Sequence, residues 1–185
     1  RTILFAAVGA EEQGLLGSVY LAEHPPVPPG LLAAVLNMDG VNVLGPTHDL
    51  QLIGSGKSNL DEIVQGIASW QKRVVTPDQF PDRGYYYRSD QFSLAKIGVP
   101  GVYLHPGTNV IGKPEGWGKQ RLEEWAEKNY HQPSDEYDDS WDLRGAVLDI
   151  QLMFHSGLAV ARQRELPKWN AGDEFEAPPL KALKK

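Results

Sequence analysis

Short apolar runs alternate with helix-like segments along most of this chain, and that alternation limits the possible folds more than any other feature of the sequence. The runs that we interpret as strands are residues 2–8, 31–38, 50–53, 72–75 and 101–104. The segments that we interpret as helices are residues 11–23, 59–71, 89–97, 119–128 and 143–164. Strands that alternate with helices predict a layered α/β domain.

The apolar run at residues 2–8 is nearly continuous, which is typical of a strand covered on both faces. Prolines in residues 24–30 predict the end of the first helix. Asn59 is in a suitable position to cap the second helix. We divide the chain into a domain over residues 1–165 and a Pro-rich, charged, loosely attached tail over residues 166–185.

The charge balance and the missing residue types exclude several classes of protein. The chain has 24 acidic and 18 basic residues, which argues against nucleic-acid binding, since that normally requires a basic face. No apolar stretch approaches the roughly 18 residues of a membrane span. There are no cysteines, so a metal ion would be held by His, Asp and Glu side chains.

Polar residues follow three of the predicted strands. Glu11 and Glu12 follow the first, Asp39 follows the second, and His105 follows the strand at 101–104. Ligands of open α/β sheets bind at the carboxyl ends of strands, so these residues are candidates for a site. Each also has a structural interpretation, since carboxylates stabilise helix starts and an Asp-Gly pair is common in turns.

Four segments in a fixed order strengthen the functional interpretation. They read ILFAAVGAEEQGLLGS, LNMDGVN, RSDQFSLAKIGVP and YHQPSDEYD, and together they resemble the di-zinc aminopeptidases, metallopeptidase family twenty-eight. The resemblance covers most of residues 1–165. It implies a zinc-exopeptidase-like, three-layer α/β/α fold with a mostly parallel mixed sheet, a peptide substrate, two zinc ions in a complete site, and export to the periplasm or outside the cell.

The resemblance also assigns roles to individual residues. Glu12 and His131 would bind one zinc ion and Asp39 the other, since zinc accepts carboxylate and imidazole ligands. Glu11 would be the general base, and Tyr130 would donate a hydrogen bond to the developing oxyanion.

Other positions keep two interpretations. Asp90 would lie in the pocket wall or behind the metal ligands, or it would only cap its helix; Gln91 next to it stands where the family commonly has His. We interpret His105 as a structural residue at a strand end. Tyrosines 85–87 either line a substrate pocket or pack at the sheet edge.

The ligand set that the resemblance implies is incomplete. A complete site takes two His, one Asp, one Glu and a bridging Asp, of which the sequence supplies Glu12, Asp39 and His131. The remaining two precede the first strand in the family. We therefore expect a C-terminal part of a catalytic domain that lacks its N-terminal strands, binds little or no zinc alone, and self-associates through an exposed sheet edge.

Two alternatives to the exopeptidase stay open, and so does the choice between aminopeptidase and carboxypeptidase. The first is a glutaminyl cyclase-like acyltransferase, against which Tyr130 argues because cyclases resemble one another in having Trp there. The second is a non-catalytic ectodomain, against which the retained ligands argue.

Overall fold

Four strands form one mixed sheet in the computed structural model, which describes residues 1–78 and 81–176. The strands are β1 (Val35–Met38), β2 (Asp49–Ile53), β3 (Val74–Pro77) and β4 (Gly101–Pro106). Their order is β1-β4-β2-β3, with β1 parallel to β4, β2 parallel to β3, and β2 antiparallel to β4. The predicted mostly parallel mixed sheet is confirmed.

Helices cover both faces of this sheet. The helices are α1 (Leu16–Glu23), α2 (Leu60–Trp70), α3 (Gln91–Ala95), α4 (Trp117–Lys128) and α5 (Arg144–Arg162). Of these, α2, α3 and α5 pack directly on the strands. Val102 and Leu104 of β4 pack with α2 and α5, whereas Tyr103 between them packs with α3 on the opposite face. The three-layer α/β/α arrangement is therefore confirmed.

A buried ion pair joins the sheet to α5. The Arg73 Nη1 and Asp149 Oδ1 atoms are 2.7 Å apart, and both side chains are almost fully buried. Arg73 also donates hydrogen bonds from Nη2 to Thr47 Oγ1 (2.9 Å) and to the Asp49 carbonyl (2.8 Å). Burial raises the pKa of Asp149, and the neighbouring guanidinium opposes that shift.

The strand predicted at residues 2–8 is wrong. This segment has no regular secondary structure, and Phe5 is 93% exposed. A strand is stabilised by hydrogen bonds to a neighbouring strand, and β1 at this side of the sheet pairs only with β4 among the described residues. An apolar run in the sequence predicts burial, but it does not show whether a neighbouring strand is present to pair with.

Several element boundaries also differ from the sequence prediction. The first helix begins at Leu16 rather than residue 11, and the strand predicted at 31–38 forms only from Val35. Asn59 precedes α2 without a side-chain cap, because its Oδ1 accepts the Lys168 backbone N–H instead (2.8 Å). The strands predicted at 50–53 and 101–104 are confirmed as β2 and β4.

Residues 166–176 are not loosely attached, contrary to the prediction for the tail. Trp169 and Phe175 are both 8% exposed and pack with Ile53 and Tyr86 in one hydrophobic cluster. Lys57 Nζ reaches Glu174 Oε1 at 2.8 Å and so holds this segment against the sheet. Residues 177–185 of the predicted tail lie outside the described residues.

None of the helices within residues 1–78 and 81–176 combines the length and apolar character needed to cross a bilayer.

Candidate metal and catalytic site

The Glu11-Glu12 pair lies in a short 3₁₀ turn, Glu11–Gln13, between two backbone bends. Ala10 before the turn and Leu15 after it both have left-handed backbone, with φ of 58° and 61°. Non-glycine residues rarely adopt this conformation, and such strain is concentrated at functional sites. The backbone just before the turn packs closely on α1, because a Cβ on Gly17 would lie 2.5 Å from the Gly9 carbonyl oxygen.

Tyr130 and His131 lie in the loop that follows α4. The helix ends at Lys128, and the Asn129 side chain donates to the Ser134 carbonyl (3.2 Å), which folds the loop back on itself. His131 has a φ of 60°, so this candidate residue also has left-handed backbone. Both candidate segments are thus held in sparsely populated conformations.

The fold brings these two segments into direct contact. His131 Nε2 lies 2.7 Å from Glu12 Oε1, although the residues are 119 positions apart in the sequence. The Tyr130 ring stacks on the His131 ring with centroids 3.8 Å apart. The two residues that the family resemblance assigns to one zinc ion are therefore in contact, and Tyr130 lies beside them.

Asp39 follows β1 and is held from one side by a buried polar network. Ser89 Oγ donates to Asp39 Oδ2 (3.3 Å), and Asn37 Nδ2 donates to both Ser89 Oγ (2.7 Å) and Gln91 Oε1 (2.9 Å). Gln91 is fully buried and donates from Nε2 to the Tyr86 carbonyl (2.7 Å). Gln91 thus joins β1 to the turn that leads into α3.

Glu11 lies in the electrostatic field of the other acidic candidates. Partial burial raises the pKa of the Glu11 carboxyl, and the negative charges of Asp39, Glu12 and Asp90 raise it further. A raised pKa brings a carboxylate closer to the range in which a general base both accepts and returns a proton. These interactions place the four carboxylates in one region.

Desolvation acts on Asp39 and Tyr130 in the same direction. The surrounding protein raises the pKa of Asp39 by desolvation, and the Ser89 hydrogen bond opposes this effect. Desolvation followed by the charge of Glu12 raises the pKa of Tyr130. The Tyr130 hydroxyl therefore keeps its proton at neutral pH and can act as a hydrogen-bond donor.

Asp90 does not cap its helix, so that interpretation loses its support. It precedes α3 but makes no side-chain capping hydrogen bond, and its Oδ1 is buried with no hydrogen-bond partner among the described residues. A buried carboxylate oxygen without a partner is costly unless a ligand or water satisfies it. Asp90 therefore stays a candidate for the pocket wall.

The donor set fits part of a zinc site. An imidazole nitrogen and a carboxylate oxygen can both bind zinc, and those of His131 and Glu12 lie 2.7 Å apart. Within the described ranges, however, no group of three or more His, Asp or Glu side chains is arranged to hold a metal ion. The described residues thus bring together one pair of candidate zinc ligands and not a closed site.

Arg88 is the residue at this site that the sequence analysis missed. It is exposed, and its positive charge opposes the rise in the pKa of both Glu11 and Tyr130. Its position directly before Ser89 and Asp90, in a segment already assigned to the site, was the available signal. An exposed arginine is otherwise indistinguishable in sequence from a solubilising surface residue.

The tyrosines before Arg88 have separate roles. Tyr86 is buried in the core, while Tyr85 stacks on His105 with centroids 5.7 Å apart. Tyr87 donates from its hydroxyl to Glu174 Oε1 (2.7 Å). Core packing accounts for Tyr86, and the aromatic stacking agrees with the structural interpretation of His105.

Comparisons with known proteins agree with this fold. A family model described as "Peptidase family M28" matches residues 1–155. The aminopeptidase from Aneurinibacillus sp. strain AM-1 matches with a TM-score of 0.52 and 18% identity, over 82% of this chain and 31% of that chain. The Legionella pneumophila aminopeptidase LapA matches with a TM-score of 0.57 and 16% identity, over 85% of this chain and 38% of that chain. No curated protein matches the sequence. At these identities the structures show a common fold, and the chain spans about a third of their length.

Proposed function

The chain belongs to peptidase family M28, and on that premise we propose that it carries the catalytic base and part of the zinc site of an aminopeptidase. The substrates are peptides with a free N-terminus, from which one residue is removed by hydrolysis. The observation that supports this proposal best is the 2.7 Å contact between Glu12 and His131. Two motifs far apart in sequence meet there with a ligand pair suited to zinc.

The proposed metal ligands are Glu12 and His131 for one ion and Asp39 for the other. Zinc, when bound, polarises the scissile carbonyl and lowers the pKa of water. The network of Ser89, Asn37 and Gln91 holds the Asp39 carboxylate in place. Such supporting hydrogen bonds orient a ligand and raise the affinity of its site.

The proton transfers are assigned to Glu11. Its carboxylate accepts a proton from the attacking water and returns it to the nitrogen of the leaving peptide as the bond breaks. The Tyr130 hydroxyl donates a hydrogen bond to the carbonyl oxygen of the substrate as negative charge develops on that oxygen. The raised pKa values of both side chains suit these roles.

The other zinc ligands are proposed to come from polypeptide beyond residues 1–185. Two observations support this proposal. The described residues bring together only two candidate ligands of one ion, and the two matched aminopeptidases are much longer than this chain. Residues 2–8 fit the same proposal, because their apolar side chains are exposed and could be buried by additional strands.

We expect residues 1–185 alone, supplied with zinc, to leave aminoacyl p-nitroanilides intact. A polypeptide that adds the missing ligands should cleave them, should spare the N-acetylated forms, and should lose activity on treatment with a chelator. Release of p-nitroaniline measures all three. Turnover by residues 1–185 with a full complement of zinc would refute the claim that their zinc site is incomplete. Equal cleavage of acetylated and free substrates would refute the claim that the enzyme is an aminopeptidase.

A further inference from the structure

One side of α5 exposes an apolar stripe. The stripe consists of Leu143, just before the helix, and Val147, Ile150 and Phe154 within it, each between 46% and 57% exposed. The exposed side of a surface helix is normally polar, and a helix that is apolar on all sides is normally covered. The stripe therefore has the character of an interface.

The surroundings of the stripe are almost free of charge. Between residues 145 and 161 the only ionic side chain is Asp149, which is buried and paired with Arg73. Trp70, at the end of α2, is 68% exposed and packs edge-on against His155 with centroids 5.0 Å apart, next to Phe154. Trp70 thus enlarges the apolar surface at one end.

The spacing within the stripe is symmetric. Its residues are separated by four, three and four positions, so the sequence of gaps reads the same in both directions. Two such helices packed antiparallel about a twofold axis place Leu143 opposite Phe154 and Val147 opposite Ile150 of the other copy. A twofold interface requires this kind of self-complementarity, and a 4-3 spacing is that of helix–helix seams.

The charges at the two ends of α5 are opposite in sign. The exposed loop before the helix carries Asp135, Glu136, Asp138 and Asp139, while Arg144 at the helix start is paired with Asp142, so this end is acidic overall. At the other end lie the exposed Arg162 and Arg164 and the Arg1 guanidinium, which donates to the carbonyls of Gln163 and Arg164; with the exposed Glu165 counted, this end is basic overall. An antiparallel pair brings the acidic end of each copy towards the basic end of its partner, whereas a parallel pair would juxtapose like charges.

We infer that the α5 stripe is the interface of a homodimer in which two copies of this chain pair their α5 helices antiparallel. The partner that covers the stripe is a second copy of the chain. In an antiparallel pair, the spacing of the stripe matches its own reverse, and the acidic end of each α5 helix meets the basic end of the other. This inference does not depend on the peptidase activity. It also differs from the self-association through a sheet edge that the sequence analysis expects, because the contact here is between helices.

Sedimentation equilibrium tests this dimer at chain concentrations up to about 100 µM. The unchanged chain should form dimers, and Ile150→Glu should raise the dissociation constant at least about tenfold, because a charge would be buried at the centre of the interface. Leu31→Glu is the matched control, since Leu31 is 68% exposed and is not part of the stripe. A chain that stays monomeric refutes the dimer, and so does loss of association in Phe5→Glu but not in Ile150→Glu.

Cysteine pairing tests the orientation against a background free of native cysteines. Under mild oxidation, a mixture of Leu143→Cys and Phe154→Cys chains should cross-link between unlike chains, since the antiparallel pairing places those positions opposite each other. Cross-linking of each variant mainly with itself would indicate parallel helices and overturn the inference.

Discussion

Glu11→Gln should lower the hydrolysis rate of the zinc-loaded peptidase that contains this chain by about 10²- to 10⁴-fold, the range for loss of a general base. Gln has nearly the same shape as Glu but cannot accept the proton from water at neutral pH. Zinc content should stay unchanged, because Glu11 is not one of the proposed ligands. Rates from p-nitroaniline release and zinc from elemental analysis measure the two effects on the same samples.

Glu23→Gln is the control for this experiment, since Glu23 is an exposed glutamate at the end of α1. It should hydrolyse at the unchanged rate. Turnover of Glu11→Gln close to that of the unchanged enzyme would show that another group accepts the proton. Loss of zinc together with activity would instead identify Glu11 as a ligand.

Asp149→Ala should lower the free energy of unfolding of the chain by about 3–5 kcal/mol, the usual cost of removing one partner of a buried ion pair. The Arg73 guanidinium would stay buried with no carboxylate beside it, since both side chains are at most 4% exposed. Urea unfolding followed by far-ultraviolet circular dichroism measures the change as a shift of the midpoint.

Two matched variants separate this effect from general sensitivity to mutation. Glu124→Ala removes one partner of the exposed Arg121–Glu124 pair and should cost about 1 kcal/mol or less. The double variant Arg73→Met, Asp149→Leu removes both charges and should recover much of the loss. Equal destabilisation by Asp149→Ala and Glu124→Ala would contradict the importance of the buried pair.

The pattern of apolar residues alone predicted the strands and helices whose packing partners lie within residues 1–185. The strands at 50–53 and 101–104 and the long helix that became α5 are recognisable because their apolar faces pack on one another. Residues 2–8 have an equally apolar sequence and yet form no strand, because hydrogen-bond pairing depends on a neighbour that the local sequence does not specify. The left-handed backbone at Leu15 delays the start of the first helix to Leu16, and no propensity rule expects that conformation at a leucine.

The site was predictable to the extent that motifs mark it. Sequence resemblance alone indicated Glu12 and His131, and the structure places them in contact. The polar network around Asp39 could not be predicted, because Asn37, Ser89 and Gln91 converge only after β1 and α3 pack together. Likewise, the burial of Trp169 in a segment predicted to be loose depends on tertiary packing that composition does not reveal.

The most direct test of the proposed ligand pair is a zinc titration of residues 1–185. The NMR signals of the five histidine imidazoles report the binding. With zinc added up to about 1 mM, we expect the His131 signals to shift first. The binding should be much weaker than the roughly 10–16 kcal/mol of a complete structural site. Glu12→Ala should weaken it at least about tenfold, while Glu11→Gln should leave it unchanged. Zinc that shifts other histidines but not His131, or that binds Glu12→Ala as tightly as the unchanged chain, would contradict the account.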